Sequence, residues 1–292
     1  MTDLTQTPSP EPMPRESDLK NFDFRLDEAI LKSQGYLLSH QTAEGYWVDK
    51  LESNTTVTAE LIFFMYFTDT VDLAKLEKFT NYLLHKQRED GSWPLYYGGP
   101  CDINCTVESY MALKLAGVPV DQPEMVKARE AIFANGGIKK TRVFTKIFLA
   151  MFGQVPWEVC PAVPVEIVLF ANWFPINIYE MSSWSRGTVV PLSVVLAHRP
   201  VHHPPEGRDV KELFTESECN LSFEPDGSIV SSWRNFFTYL DRFIKFVGKS
   251  PWKPFRRMAL KKAIRWVVEH QEAQGDFAGI QPAMLNSMLA YH

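Results

Sequence analysis

Glu60 and Glu108 are carboxylates set in apolar company, Val57 to Phe64 and Thr106 to Leu113. An ionised acid on such a helix is costly to bury alone, so it either faces water as a cap or finds a cation, and Arg142 is a suitable partner. Cys101-x3-Cys105, with Asp102 between the thiols, has metal-ligand residue types. No second Cys or His pair stands at finger spacing, so these read as loop thiols and no metal is expected. His202-His203 lies in a Pro-rich stretch, Arg199 to Pro205, with no helix to present both imidazoles on one face, which reads as a surface loop. The densest basic run is Lys253, Arg256, Arg257, Lys261, Lys262 and Arg265. Arg257, Lys261 and Arg265 recur on one helical face opposite Ala259, Ala263, Trp266 and Val267, the pattern of a solvated outer face more than of a lipid-headgroup contact.

The composition is that of an ordinary globular protein except in its rings: Phe 20, Tyr 10 and Trp 8, or 13% of the 292 residues. A formal net charge of -5 gives no electrostatic reason to expect nucleic acid. Four cysteines are too few for a disulfide framework, and no apolar signal segment leads the chain, which points to a reducing, cytoplasmic setting. Uncharged apolar stretches such as Leu61 to Phe67 and Thr188 to Ala197 fall well short of the roughly 18 residues of a membrane span.

Residues 1–21 are rich in Pro, Ser, Thr and acids and have no apolar period, so they read as a disordered or docking tail. Residues 22–292 read as helical, with amphipathic runs near Leu26–Leu37, Ala59–Tyr66, Leu73–Leu84, Thr106–Leu115, Met125–Phe133, Thr141–Met151, Trp233–Val247 and Pro254–Gln271. Two-residue alternation is scarce, so the class is all-α.

One pattern recurs behind apolar helix ends: Gln41, Gly45 and Trp47; Gln87, Gly91 and Trp93; Gln271, Gly275 and Phe277. The glycine stops the helix where positive φ is needed, and the ring two residues on could stack on the Gln amide of its own repeat. Corresponding residues of the first two copies are 46 apart, enough for a helical hairpin. About six such units fit between residue 24 and the end, which suggests a closed (α/α)6 barrel, or toroid, of helical hairpins; an open solenoid of helix pairs is the alternative.

These repeats resemble the QW motifs of the squalene-hopene cyclases and related triterpene cyclases. The resemblance extends through Gly98-Gly99-Pro100, Pro175 to Glu180 leading to Ser183-Trp184, Pro254 to Arg257, and Gly279-Ile280-Gln281-Pro282. It implies the N-terminal of two α-barrels that face each other across an aromatic-lined cavity. There a Brønsted acid protonates squalene, ring faces stabilise successive carbocations, and a base or water ends the reaction without any cofactor. By resemblance, Trp184 stabilises cations where the first rings form, and Phe144, Phe148, Ile280 and Pro282 line the cavity. Gln281, Glu60, Glu108 and Arg142 resemble the cluster that orders water beside the terminating cation.

The family's acid belongs to an Asp-x-Asp-Asp motif of its C-terminal half, and no such motif occurs here; Glu89-Asp90, Asp102 and Asp226 do not form one. The resemblance therefore implies a chain that contributes cavity and termination residues to cyclisation of squalene to hopanoid triterpenes and needs a C-terminal cyclase half as partner. A non-catalytic toroid that binds an isoprenoid lipid or a partner protein is the alternative. Lipid-soluble substrate implies peripheral contact with the inner face of the cell membrane, with the main anchoring surface expected in the other half. A protein prenyltransferase is disfavoured, because no Asp, Cys and His set stands where zinc would need it.

Overall fold

A computed structural model describes residues 16–48, 52–174, 177–214, 233–248 and 253–292. The chain divides into two compact units, Met1–Glu52 and Ser53–His292. Among the described residues there are ten α-helices, short 3-10 turns and no β-strand, only an isolated bridge between Pro94 and Cys101.

The first unit contains α1 (Glu16–His40) and the first repeat loop. The helix starts six residues before the boundary at residue 22 read from the sequence, and residues 1–15 of the tail lie outside the described residues.

The second unit holds α2 (Thr56–Phe67), α3 (Leu73–His85), α4 (Ile103–Ala116), α5 (Pro123–Ala134), α6 (Val143–Met151), α7 (Ser183–His198), α8 (Trp233–Gly248), α9 (Arg256–Glu269) and α10 (Gln281–Tyr291). Helices α3, α5 and α9 bury one stripe each, as with Ala259, Ala263 and Val267 of α9, and they form the outer layer. Arg257, Lys261 and Arg265 on the other side of α9 are exposed, as their spacing predicts. Helix α4 is an inner helix: every residue from Cys105 to Leu115 is buried.

The inner helices run parallel. Phe63 and Phe67 of α2 meet Phe148 and Phe152 at α6 in the same order. Glu60 meets Gln281 at the start of α10, and Phe67 meets His292 at its end. Thr55 hydrogen-bonds Ser109 of α4, while Arg208 joins Tyr66 to the Leu115 carbonyl one end further on. Gly187 and Thr188 of α7 lie against Ala283 and Asn286 of α10 in matching order. The packing of α10 against both α7 and α2 closes the circuit, so the second unit is an α/α toroid whose inner helices start at one mouth.

Six complete hairpins would need twelve helices. Between α6 and α7 the Pro-rich segment forms 3-10 turns at Trp157–Val159, Val165–Leu169 and Ile178–Glu180, because Pro156, Pro161 and Pro164 cannot donate to an α-helical ladder. Helices α7 and α10 escaped the periodicity reading for a different reason. They are inner helices with buried residues on several faces, and α7 carries Pro191 in its interior.

All three repeat loops share one lock. The Gln side chain donates to the Gly carbonyl in Gln41–Gly45 (2.7 Å), Gln87–Gly91 (2.9 Å) and Gln271–Gly275 (2.9 Å), with each Gly at positive φ. The indoles of Trp47 and Trp93 donate to carbonyls ten residues back, Leu37 and Leu83. Hydrogen bonds to the backbone, more than a ring-on-amide stack, are therefore the common device. At Gly91 a Cβ would sit 2.4–2.6 Å from Lys127 atoms, backbone included, so glycine is also required there by the approach of α5.

Of the expected surface histidines, His203 is exposed and His202 is partly inside. His202 donates its backbone N–H to Met151 and sets its ring against Phe67 and Phe152, because the 199–214 segment folds back across the C-terminal ends of the inner helices. No helix among the described residues is long and apolar enough to cross a membrane.

Candidate functional site

The N-terminal turns of α2, α4, α6 and α10 bring Glu60, Glu108, Arg142 and Gln281 together. Asp102 caps α4 by accepting from the N–H groups of Asn104 and Cys105, both at 2.9 Å, which accounts for the acid between the two cysteines. That fixed start places Asn104 and, one turn on, Glu108 on the side facing α6. Arg142 is the N-cap residue of α6 and Thr145 lies in its first turn. Gln281 opens α10, where Pro282 presets the helical φ and Ile280 is the extended residue before it.

Both acids are inside the protein, Glu60 at 7% and Glu108 at 1% exposure. The Gln281 amide donates to Glu60 Oε2. Glu108 Oε1 accepts from the Thr145 hydroxyl at 2.5 Å and from Arg142 Nη2 at 3.5 Å. Its other oxygen, Oε2, is buried with no hydrogen-bond partner among the described residues. Burial pushes both carboxyls up from the ordinary range, and the charge of Glu60 raises Glu108 further. Arg142 opposes the rise at both, helped by Gln281 at Glu60 and Thr145 at Glu108. Two buried acids facing one half-exposed guanidinium are best satisfied with one proton and one negative charge between them. The helix N-termini around them favour that single charge.

Trp184 stands in the first turn of α7, whose start Ser182 caps through the Ser185 N–H at 3.2 Å. Its indole is 57% exposed, at the end of the toroid where α10 also begins. Ile280 and Pro282 are half-buried, after a bend at Ala278 and Gly279 with φ of 57° and 60°. Phe144 is half-buried in the first turn of α6. Phe148 is 4% exposed, with its ring 5.3 Å from Phe63, one turn below Phe144. A helix that starts at the mouth carries a residue four positions on into the ring's interior.

Asn104 and Thr145 were missed by sequence reasoning. Their only signal was spacing, four residues before Glu108 and three after Arg142. Two of the acids considered in place of Asp-x-Asp-Asp are engaged in the fold. Asp90 is tied to Ser92 and Arg88 within its repeat loop, Asp102 caps α4, and Asp226 lies outside the described residues, as do Cys219, Pro175 and Ile176. Among the described residues no group of three or more His, Cys, Asp or Glu could hold a metal ion.

Residues 30–292 match the family described as the squalene-hopene cyclase N-terminal domain. The chain is 43% identical over 265 residues to a squalene–hopene cyclase of Alicyclobacillus acidocaldarius, covering 91% of this chain and 41% of that protein. It is 37% identical to a dammaradiene synthase of Dryopteris crassirhizoma (90% of this chain, 38% of that protein). Identity is also 37% to a squalene–hopene cyclase of Zymomonas mobilis (91% and 40%). The chain thus spans about two fifths of the length of these relatives. With its α/α toroid, its three Gln-Gly-aromatic locks and this match over nearly all of its length, the chain belongs to the squalene-hopene cyclase family, in the part that forms the N-terminal domain.

Proposed function

We propose that this toroid supplies one wall of a triterpene-cyclising cavity and the groups that end the reaction on squalene. The observation that carries the reading is the buried Glu60–Glu108 pair at the ring mouth, held by Arg142 and Gln281. A carboxyl pair that already shares one proton is a weak base. It accepts a second proton only from a strong acid, such as the C–H bond next to a carbocation. Loss of that proton leaves its bonding electrons as the alkene; a water held by the same groups that attacks the cation and passes one of its protons to the pair gives the alcohol. The exposed indole of Trp184 offers a π face to earlier cations without a nucleophile to trap them.

Protonation of squalene is assigned to a partner half carrying Asp-x-Asp-Asp. Incubated with squalene and read by gas chromatography with mass spectrometry, this chain alone should yield no cyclised product, and mixing it with such a half should restore cyclisation. In that assembly Trp184→Ala should divert most product to early-terminated rings. Product from the chain alone would overturn the division of labour, and an unchanged profile for Trp184→Ala would overturn the role of the indole. Squalene binding without cyclisation in the assembly would instead favour the non-catalytic reading.

The same reading extends to a peripheral position on the inner face of the cell membrane, and the surface for it lies in this half. Tyr239, Phe243 and Phe246 of α8 are exposed along one face, Phe246 at 76%. Asp241 and Lys245 are turned to the protein. Lys245 pairs with Asp241 at 2.6 Å and donates to the Glu158 carbonyl, while Asp241 accepts from the Ala162 N–H. An apolar cavity of about 620 Å³ lies beneath, lined by Val163, Val165, Leu196, Phe243 and Phe255 among others. An inverted helix of this kind suits an interface plane. Flotation with liposomes should recover the chain, and Phe243→Ser with Phe246→Ser should cut recovery about tenfold or more, since two rings each contribute on the order of 1–2 kcal/mol of burial. Equal recovery of the variant would assign the contact elsewhere.

A further inference from the structure

The first turns of α4 and α6 are joined by two polar rungs. In one, Asn104 Oδ1 accepts from the backbone N–H of Arg142 at 2.6 Å. In the other, Thr145 Oγ1 donates to Glu108 Oε1 at 2.5 Å. The hydroxyl also lies 3.4 Å from Asn104 Oδ1, but its single hydrogen serves the much shorter partner. These four residues form a closed square, with Asn104 and Glu108 one turn apart on α4 and Arg142 and Thr145 one turn apart on α6. Neither Asn104 nor Thr145 is needed to start its helix, because Asp102 already caps α4 and the Thr145 side chain makes no cap of α6. Their side chains are spent on the acid and on the arginine's backbone.

We infer that Asn104 and Thr145 are positioning residues: Asn104 fixes where the Arg142 guanidinium enters the mouth, and Thr145 fixes which oxygen of Glu108 is held and which faces Glu60. The inference deepens the termination role proposed above and rests on it for its consequence in the reaction. The geometry supports the division. Glu108 Oε1 is doubly engaged, by Thr145 and Arg142, while Oε2 is left buried and unbonded. Turning the carboxyl therefore breaks the short Thr145 bond, and the free oxygen is the one available to a proton, a water or the neighbouring acid. Arg142 reaches Glu108 at only 3.5 Å and its side chain is 40% exposed, so its own bond is too long to hold it. The rigid anchor is its main chain, through Asn104.

The test separates positioning from catalysis. The carboxylic-acid stretching band of the intact chain is followed by infrared spectroscopy against pH in wild type, Thr145→Val, Thr145→Ser and Asn104→Leu, with glutamate isotopically labelled and thermal unfolding recorded alongside. Thr145→Val keeps the shape and loses the donor that stabilises the charged form. The protonated band should persist about one pH unit higher, or more. Thr145→Ser should return it to the wild-type position, which a loss of packing alone would not do. Asn104→Leu should raise it as well, by freeing Arg142. Identical titrations in wild type and both Thr145→Val and Asn104→Leu would overturn the inference. In the assembly with an Asp-x-Asp-Asp half, Thr145→Val should change the ratio of alkene to alcohol about tenfold while substrate consumption falls less. A shifted titration with an unchanged product ratio would leave the positioning intact and overturn the termination role proposed for the pair.

Discussion

Trp93→Ala should lower the unfolding free energy of the toroid by about 3–5 kcal/mol, the cost of deleting a large ring from a packed interior. Trp93 is wholly buried. Its indole N–H closes the end of α3 by donating to Leu83 at 2.8 Å, and its backbone N–H is held by Thr106 at 3.2 Å. Truncation removes the ring contacts, leaves a void and strands the Leu83 carbonyl. For a unit of this size the loss is worth about 10 °C in the unfolding midpoint. The comparison is Trp47→Ala. That ring is 50% exposed in the first unit, and its loss should cost no more than about 1 kcal/mol. Denaturant unfolding followed by circular dichroism and tryptophan fluorescence reads both. Equal losses would mean that the two repeats are energetically alike, against their different burial.

Glu108→Gln should make the protein more stable at neutral pH and reduce the pH dependence of its stability above about pH 5. The acid is raised from its unfolded value of 4.5, first by burial and then by Glu60. The folded state therefore holds a proton that the unfolded chain releases. Its contribution is complete below about pH 4.5 and is lost as pH rises through the raised folded value, at up to about 1.4 kcal/mol per pH unit for one proton. Gln keeps the shape and the Thr145 bond in neutral form, so Glu108's own share of the pH dependence is gone and only that of the buried Glu60 remains at the pair. Urea unfolding at intervals from pH 5 to 8 should give a falling line for wild type and a distinctly shallower one for Glu108→Gln, whose remaining slope comes from Glu60. Parallel lines would show that the pair ionises fully at little cost. Acids with lowered values, such as Asp72 and Asp209, have the opposite sign: what they contribute is lost toward acid pH, below this window. In the assembly proposed above, the same substitution should impair termination, since it removes the acid proposed to accept the proton.

Much of the fold was legible because outer helices must bury one stripe against the ring. The runs at Leu73–Leu84, Met125–Phe133 and Pro254–Gln271 are periodic for that reason and correspond to α3, α5 and α9. Inner helices carry no such stripe. Helix α4 was found through its apolar content, but α7 and α10, buried on several faces, were not. The repeat loops were legible because a helix stop at positive φ needs Gly, and the Gln that reaches back to that Gly's carbonyl must stand four residues before it.

At the candidate site, the sequence by itself determined that Glu60 and Glu108 lie in apolar surroundings and that Arg142 could answer them, since the cost of burying a charge depends only on residue type and neighbours along the helix. It also determined that an Asp-x-Asp-Asp acid is missing from this chain. Only the tertiary structure decided that four helices begin at one mouth and so bring these residues together. It alone set the Phe148 ring against Phe63, made Asn104 and Thr145 partners of the cluster, and turned the aromatic face of α8 outward. Those outcomes depend on which helix ends meet across the ring. That register is set by the packing of segments as far apart as Glu60 and Gln281, and no local pattern encodes it.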